Sequence, residues 1–153
     1  MPLNRTADQL LNDQFGPLLI RSLAAAAGTY HLGPAANPGD ANLMYDLRAG
    51  APTVGHTLYA AGKFLNLVID ITNANGGNLT ATIVGLDPVS GKSYPVLVSA
   101  ALAANATTVL KVGPGLTAVA NLTANDFLPF TWSAQIVVAV ATMTFSIGAQ
   151  MMP

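Results

Sequence analysis

The chain has 153 residues, of which 52% are hydrophobic and only 8% charged, with no glutamate and a net charge of −1. An average soluble domain carries about 25% charged residues. The length fits one domain, which buries roughly 70% of the surface its unfolded chain exposes, so the surface over an ordinary core must be largely uncharged. Such a surface belongs either to a membrane protein or to one that hides much of itself against partners. A spanning helix needs about 20 consecutive apolar residues, whereas the run Ile136 to Ala141 is six long and flanked by Gln135 and Thr142, so no membrane partner is expected.

The basic residues Arg5, Arg21, Arg48, Lys63, Lys92 and Lys111 are scattered singly, which leaves no patch for counterion-release binding and no nucleic-acid partner. Without cysteine, stability must come from packing, hydrogen bonds and oligomer contacts.

Charge divides the chain, with seven of the thirteen charged residues in the first 50 positions. Residues 1 to about 55 read as an arm. Ala7 to Phe15 can form a short helix started by Thr6 or Asp8, Gly16-Pro17 breaks it, and Leu18 to Ala27 can form a second helical piece stopped by Gly28. Leu18 to Ala27 also resembles a signal-peptide core, but Arg21 interrupts it and Asp8 and Asp13 stand where positive charge is expected. From Gly28 to Gly55, Gly33-Pro34, Asn37-Pro38-Gly39 and Ala51-Pro52 punctuate the chain as extended arm or loop. Leu10, Leu11, Phe15, Leu18, Leu19, Ile20 and Leu23 are too many large apolar residues for a solvated tail, because burying each is worth roughly 1.5 to 3 kcal/mol. They must fold back onto their own domain or reach a neighbouring subunit or lattice, and they are the candidate partner-binding residues.

Residues 56 to 153 read as a β-domain. Lys63 to Thr72 puts Leu65, Leu67, Ile69 and Ile71 on one face and Asn66, Asp70 and Thr72 on the other, the period of a half-buried strand. The Asn- and Gly-rich turn from Asn73 to Asn78 predicts that Leu79 to Leu86 returns as the second strand of a hairpin. A turn over Asp87 to Lys92 leads to strands at Tyr94 to Ala101 and Thr107 to Val112, then a turn at Gly113-Pro114-Gly115. Asn121 to Asp126 fits a short strand or a loop. A last pair is expected from Phe130 to Val140, with Trp132, Ala134, Ile136, Val138 and Val140 on one face, and Thr142 to Gln150, with Met143, Phe145 and Ile147 inward. The expected fold is mainly β, a single antiparallel β-sandwich or small β-barrel (jelly-roll or β-tulip like) with an N-terminal, partly helical, extended arm.

Chemistry is sparse. General acid-base catalysis needs positioned carboxylates or a histidine, and the seven Asp, with His31 and His56, form no recognisable pair or metal-ligand spacing. Ser90-Gly91-Lys92 reads as a turn, and Gly113-Pro114-Gly115 lacks the Lys and Ser or Thr of a phosphate loop. Neither an enzyme nor a cofactor or metal site is expected. The Asn-x-Thr sequons at Asn4, Asn78, Asn105 and Asn121 carry meaning only in a secreted chain. Trp132 fits the inward face of its strand and reads as core rather than as a ligand platform.

The block Gly85-Leu86-Asp87-Pro88-Val89-Ser90-Gly91-Lys92-Ser93-Tyr94, followed by Leu97 to Ala101, Thr107 to Val112, Pro114 to Ala118, Asn121 to Asp126, Leu128-Pro129 and Thr131-Trp132, resembles the capsid decoration, or cement, proteins of tailed bacteriophages. The resemblance covers about residues 57 to 149 and is a pattern of strands and turns, not a catalytic signature. It implies a β-rich homotrimer, made in the host cytoplasm, on the outer capsid surface of the virion, with the major capsid protein as partner. A tail or fibre component fits the same pattern, and a carbohydrate-binding β-sandwich is the alternative from another class.

Overall fold

The computed structural model describes residues 18–32, 41–42, 44–45, 52–53, 58–59 and 63–152, and among these there is no helix. The strands are β1 (Leu18–Ala25), β2 (Gly28–Leu32), β3 (Ala41–Asn42), β4 (Met44–Tyr45), β5 (Pro52–Thr53), β6 (Leu58–Tyr59), β7 (Phe64–Asn73), β8 (Asn78–Leu86), β9 (Ser93–Val98), β10 (Thr107–Val112), β11 (Thr123–Ala124), β12 (Thr131–Ala139) and β13 (Met143–Met152). A first sheet has the order β1-β13-β7-β10-β11. A second has the order β3-β2-β12-β8-β9, with β6 also paired to β12, and β4 and β5 form a separate ribbon.

The period-two pattern decides which face each strand buries. In β7, Leu65, Leu67, Ile69 and Ile71 are buried as the alternation predicts, and in β8 Leu79, Ala81 and Ile83 are fully buried. β12 contributes Trp132, Ala134, Ile136 and Val138, and β13 contributes Met143, Phe145, Ile147 and Ala149. These residues, with Leu110 and Val112 of β10 and Leu97 of β9, make one hydrophobic core fed by both sheets. Main-chain pairing is antiparallel except for two short contacts at sheet edges, β10 with β11 and β2 with β3.

The connections differ from expectation in a consistent way. β7 pairs with β10 and β13, while β8 pairs with β9 and β12. The Asn75-Gly76 turn therefore does not close a hairpin but carries the chain from one sheet to the other. Asn75 and Gly76 both have positive φ, 49° and 75°, and the Gly77 amide donates to the Ala74 carbonyl at 2.8 Å, the geometry that favours Asn-Gly. β12 and β13 likewise lie in different sheets. Val140, expected inward, is 81% exposed with φ of 77°. The Ala141 amide donates to the Ala139 carbonyl at 3.1 Å, which makes the link a γ-turn centred on Val140.

The same crossing recurs from β1 to β2 and from β9 to β10. Reading the sheets in parallel, β1, β13, β7 and β10 of the first match β2, β12, β8 and β9 of the second. Each matched pair is consecutive in sequence, so four arches stand side by side at one end of the molecule. The one true hairpin joining neighbours within these two sheets is β8–β9, over the expected Asp87–Lys92 turn.

Leu18 to Ala27, expected as a second helical piece, is strand β1 followed by the first arch. Helix propensity is a weak prior that tertiary context overrides, and here β13 offers an edge to which β1 adds, with Ala25 opposite Met143 and Leu23 opposite Phe145. Residues 18–25 and 28–32, placed by the sequence in the arm, thus lie inside the two sheets. The helix expected at Ala7 to Phe15 lies outside the described residues.

Candidate interaction surface

Register places the outward positions of the second sheet in rows. One row is Val98, Thr82 and Gln135, with His31 opposite Gln135 in the backbone register, the next is Thr80, Val137 and Thr29, and Val84 stands opposite Ser133, both of them buried. No Asp, Glu, Lys or Arg occupies any of these positions. The first sheet differs. Its outward rows include Thr107, Asp70 and Ser146, then Lys111, Asn66 and Gln150, and Thr107 donates its hydroxyl to an Asp70 carboxylate oxygen at 2.8 Å. One outer face therefore carries charge and the other carries threonine, glutamine and valine.

A second feature runs along the edge where β9 ends the second sheet and the segment 113–130 passes from β10 to β12. Of the ten exposed large apolar side chains among the described residues, Tyr94, Val98, Val119, Leu122, Phe127 and Phe130 belong to β9 or to that segment. Short contacts hold it together. Asn121, with φ of 62°, donates its side-chain amide to the Val98 carbonyl at 3.1 Å. The Lys111 amide donates to the Leu122 carbonyl at 2.8 Å. Gly85 has no Cβ because the Tyr94 ring and Pro129 occupy that space: an added Cβ lies 2.6 Å from Tyr94 Cζ and 2.7 Å from Pro129 Cγ. Leu128 is buried while its neighbour Phe127 is 67% exposed. Between residues 112 and 130 the only charged side chain is Asp126.

The remaining polar groups have local structural roles. Asp87 accepts hydrogen bonds from the Ser90 hydroxyl and the Val89 amide, and these hold its carboxyl below the usual carboxylate range. Among the described residues no group of three or more His, Cys, Asp or Glu is placed to hold a metal. Trp132 is fully buried, and its Nε1 and the neighbouring Ser133 Oγ have no hydrogen-bond partner among the described residues.

Of the expected partner-binding residues, Leu18, Leu19, Ile20 and Leu23 lie in β1, whose backbone pairs with β13 of the same chain, Leu18 opposite Gly148 and Ile20 opposite Ile147. Leu10, Leu11 and Phe15 lie outside the described residues. Sequence reasoning missed the apolar edge: Phe127 and Phe130 flank a Leu-Pro pair in a segment with no strand period, and only their size in a loop signalled exposure. Comparison with protein-family models, with curated proteins and with solved structures finds no match.

Proposed function

We propose that the chain is a structural β-sandwich protein that acts by packing against copies of itself and a larger assembly, namely a decoration protein on the outer capsid surface of a tailed bacteriophage. The observation that carries this reading is the outer face of the second sheet, where register positions from four strands present no Asp, Glu, Lys or Arg. Solvated sheet faces are usually polar, and inward-pointing or edge lysines are a common guard against association; this face lacks such protection. The resemblance to the decoration proteins covers about residues 57–149, which include β8, β9 and β12, three of the four strands of that face.

In this reading a homotrimer straddles boundaries between major capsid protein subunits. Because it binds only the closed lattice, it stabilises the shell by mass action, and the area it buries must be lost before a boundary opens under the pressure of packaged DNA. Full burial of Trp132 removes the one tryptophan of the chain as a platform for a carbohydrate ring.

The test is cryo-electron microscopy of virions whose genome encodes the chain. The expected result is density for the two-sheet body on the outside of the shell, across subunit boundaries. Density in the tail or fibres favours another virion role, and absence from the particle overturns the proposal.

A further inference from the structure

We infer that Asn75 is a site of spontaneous deamidation, at which the Gly76 amide displaces the side-chain nitrogen and the acid left behind unties two arches from each other. This is covalent chemistry of the chain itself and holds whatever the chain binds.

The sequence supplies the reacting pair. Of the eleven asparagines, Asn75 is the one followed by glycine. Asparagine is a thermolabile residue, and glycine has no Cβ to shield its own amide nitrogen. The fold then leaves the pair open. Both residues are exposed in the β7–β8 arch. Among the described residues the Gly76 amide donates to no acceptor, whereas the next amide, of Gly77, is held by the Ala74 carbonyl at 2.8 Å. The Asn75 side-chain nitrogen is held by one exposed hydrogen bond, donated to the Thr142 carbonyl at 3.3 Å, so little has to break before Cγ reaches the Gly76 nitrogen. Asn105 and Asn125, by contrast, accept bonds of 2.8 Å from the Ala74 and Gly115 amides and precede residues that carry a Cβ.

The reaction balances with water as its only co-reactant. The Gly76 nitrogen bonds to Asn75 Cγ, and the Cγ–Nδ2 bond breaks. The leaving nitrogen takes the proton lost by the Gly76 amide and departs as ammonia, leaving a cyclic imide. Water opens that imide at Cγ to give aspartate, or at the main-chain carbonyl to give isoaspartate, through which the chain then runs.

Either product changes the arch end. The Asn75 side chain ties the β7–β8 arch to the β12–β13 arch at Thr142. A carboxylate has no hydrogen to donate and sets a negative oxygen against the Thr142 carbonyl. The arch segments, residues 24–29, 73–78, 99–106 and 139–143, contain no lysine or arginine to compensate it. Isoaspartate also lengthens the main chain beside Gly77, where an added Cβ already lies 3.0 Å from the Ala139 carbonyl oxygen.

The experiment ages the folded full chain at neutral and mildly alkaline pH and follows every asparagine-containing peptide by mass spectrometry, with fragmentation to distinguish isoaspartate from aspartate. The expected result is conversion at Asn75 several-fold faster than at any other asparagine, and faster in alkali. A Cβ at Gly76 meets no atom within 4 Å, so Gly76→Ala shields the amide without a clash and should slow conversion several-fold; circular dichroism checks its fold, because alanine is strained at the Gly76 φ of 75°. The converted fraction, separated by ion exchange, and Asn75→Asp should both unfold at lower urea than the parent. Asn75 that stays intact, converts no faster than the other asparagines, or converts only after unfolding in urea overturns the inference. A folded Gly76→Ala that converts as fast as the parent overturns the assigned nucleophile, and an unchanged urea midpoint in the converted fraction overturns the untying of the arches.

Discussion

At one end of the molecule four arches join strands that face each other across the core; at the opposite end aromatic rings pack over glycines of neighbouring strands. The arch end, residues 24–29, 73–78, 99–106 and 139–143, contains no charged residue, and its order comes from hydrogen bonds to main-chain groups, two of them made by asparagine side chains. The Ala74 amide donates to the Asn105 side-chain oxygen at 2.8 Å, Asn75 donates to the Thr142 carbonyl at 3.3 Å, and Leu79 and Leu102 exchange backbone hydrogen bonds. The open end carries Lys63, Asp87, Lys92 and Asp126, and it is sealed by rings: Tyr94 over Gly85, and Phe64 over Gly113, where an added Cβ lies 2.1 Å from the ring. A backbone-built end tolerates little added volume, whereas an end closed by side chains can reshape.

The largest effect that tests this contrast is wedging. A Cβ at Gly77 lies 3.0 Å from the Ala139 carbonyl oxygen and 3.1 Å from that of Ala141, so Gly77→Val should cost about 1 to 3 kcal/mol as overpacking, measured as a lower urea midpoint. At the open end, Gly85→Ala meets the Tyr94 ring and Pro129. Its cost should be partly relieved in a Gly85→Ala/Tyr94→Ala double variant, which removes the ring but leaves Pro129, a coupling that a double-mutant cycle reads directly. No relief there would mean that the open end is as rigid as the arches.

A smaller effect of opposite sign belongs to Val140. A β-branched residue at φ of 77° is strained, at a cost on the order of 1 kcal/mol, and its side chain is 81% exposed. Val140→Gly should therefore raise the urea midpoint slightly, even though glycine makes the unfolded chain more flexible. A lower midpoint would show that the Val140 side chain holds the arch.

The smallest effect is at Asp87, in the open-end hairpin. Its folded carboxyl is held below the ordinary range, chiefly by the Ser90 hydroxyl. A lowered folded value means stability present above the unfolded pKa and lost as pH falls through the folded one. The difference in midpoint between the parent chain and Asp87→Asn should be slight near neutrality, since the group is exposed, and should vanish in acid. A difference that grows on acidification contradicts the assignment.

Strand positions were legible because alternation fixes the buried face: Leu65, Leu67, Ile69 and Ile71 of β7 and Thr107–Val112 of β10 follow from the pattern. Partnership was harder to read, yet one clue was present. A two-residue hairpin loop at Asn75-Gly76 sets Ala74 opposite Gly77 and hence Ile71 opposite Thr80, placing the apolar residues of one strand with the polar residues of the other. An arch resolves that conflict, because β7 and β8 then face each other across the core. No such clue existed for β12 and β13, where a hairpin loop at Val140-Ala141 would have set Val138 opposite Met143, a consistent pairing. The β1 strand was illegible because Leu, Ala and Arg favour helix locally and only the β13 edge, more than 100 residues later in the sequence, recruits them. The uncharged sheet face was implicit in the composition, but which strands share it depends on long-range register that periodicity does not encode.

The matching order of the two sheets also separates contacts by distance along the chain. Strands that face across the core are joined by arches of a few residues, so their apolar contacts close cheaply, because loop-closure entropy grows with loop length. Hydrogen-bonded neighbours within the first sheet are far apart in sequence, as with Ile71 and Phe145, or Leu23 and Phe145. Contacts of high sequence separation slow folding. During synthesis the β7–β8 and β9–β10 arches can collapse as each emerges, but β1 and β7 have no main-chain bridge until β13 arrives to fill the gap between them. The first sheet is thus completed by β13, the last of the described strands, and its interior is closed to water only after that strand has been inserted.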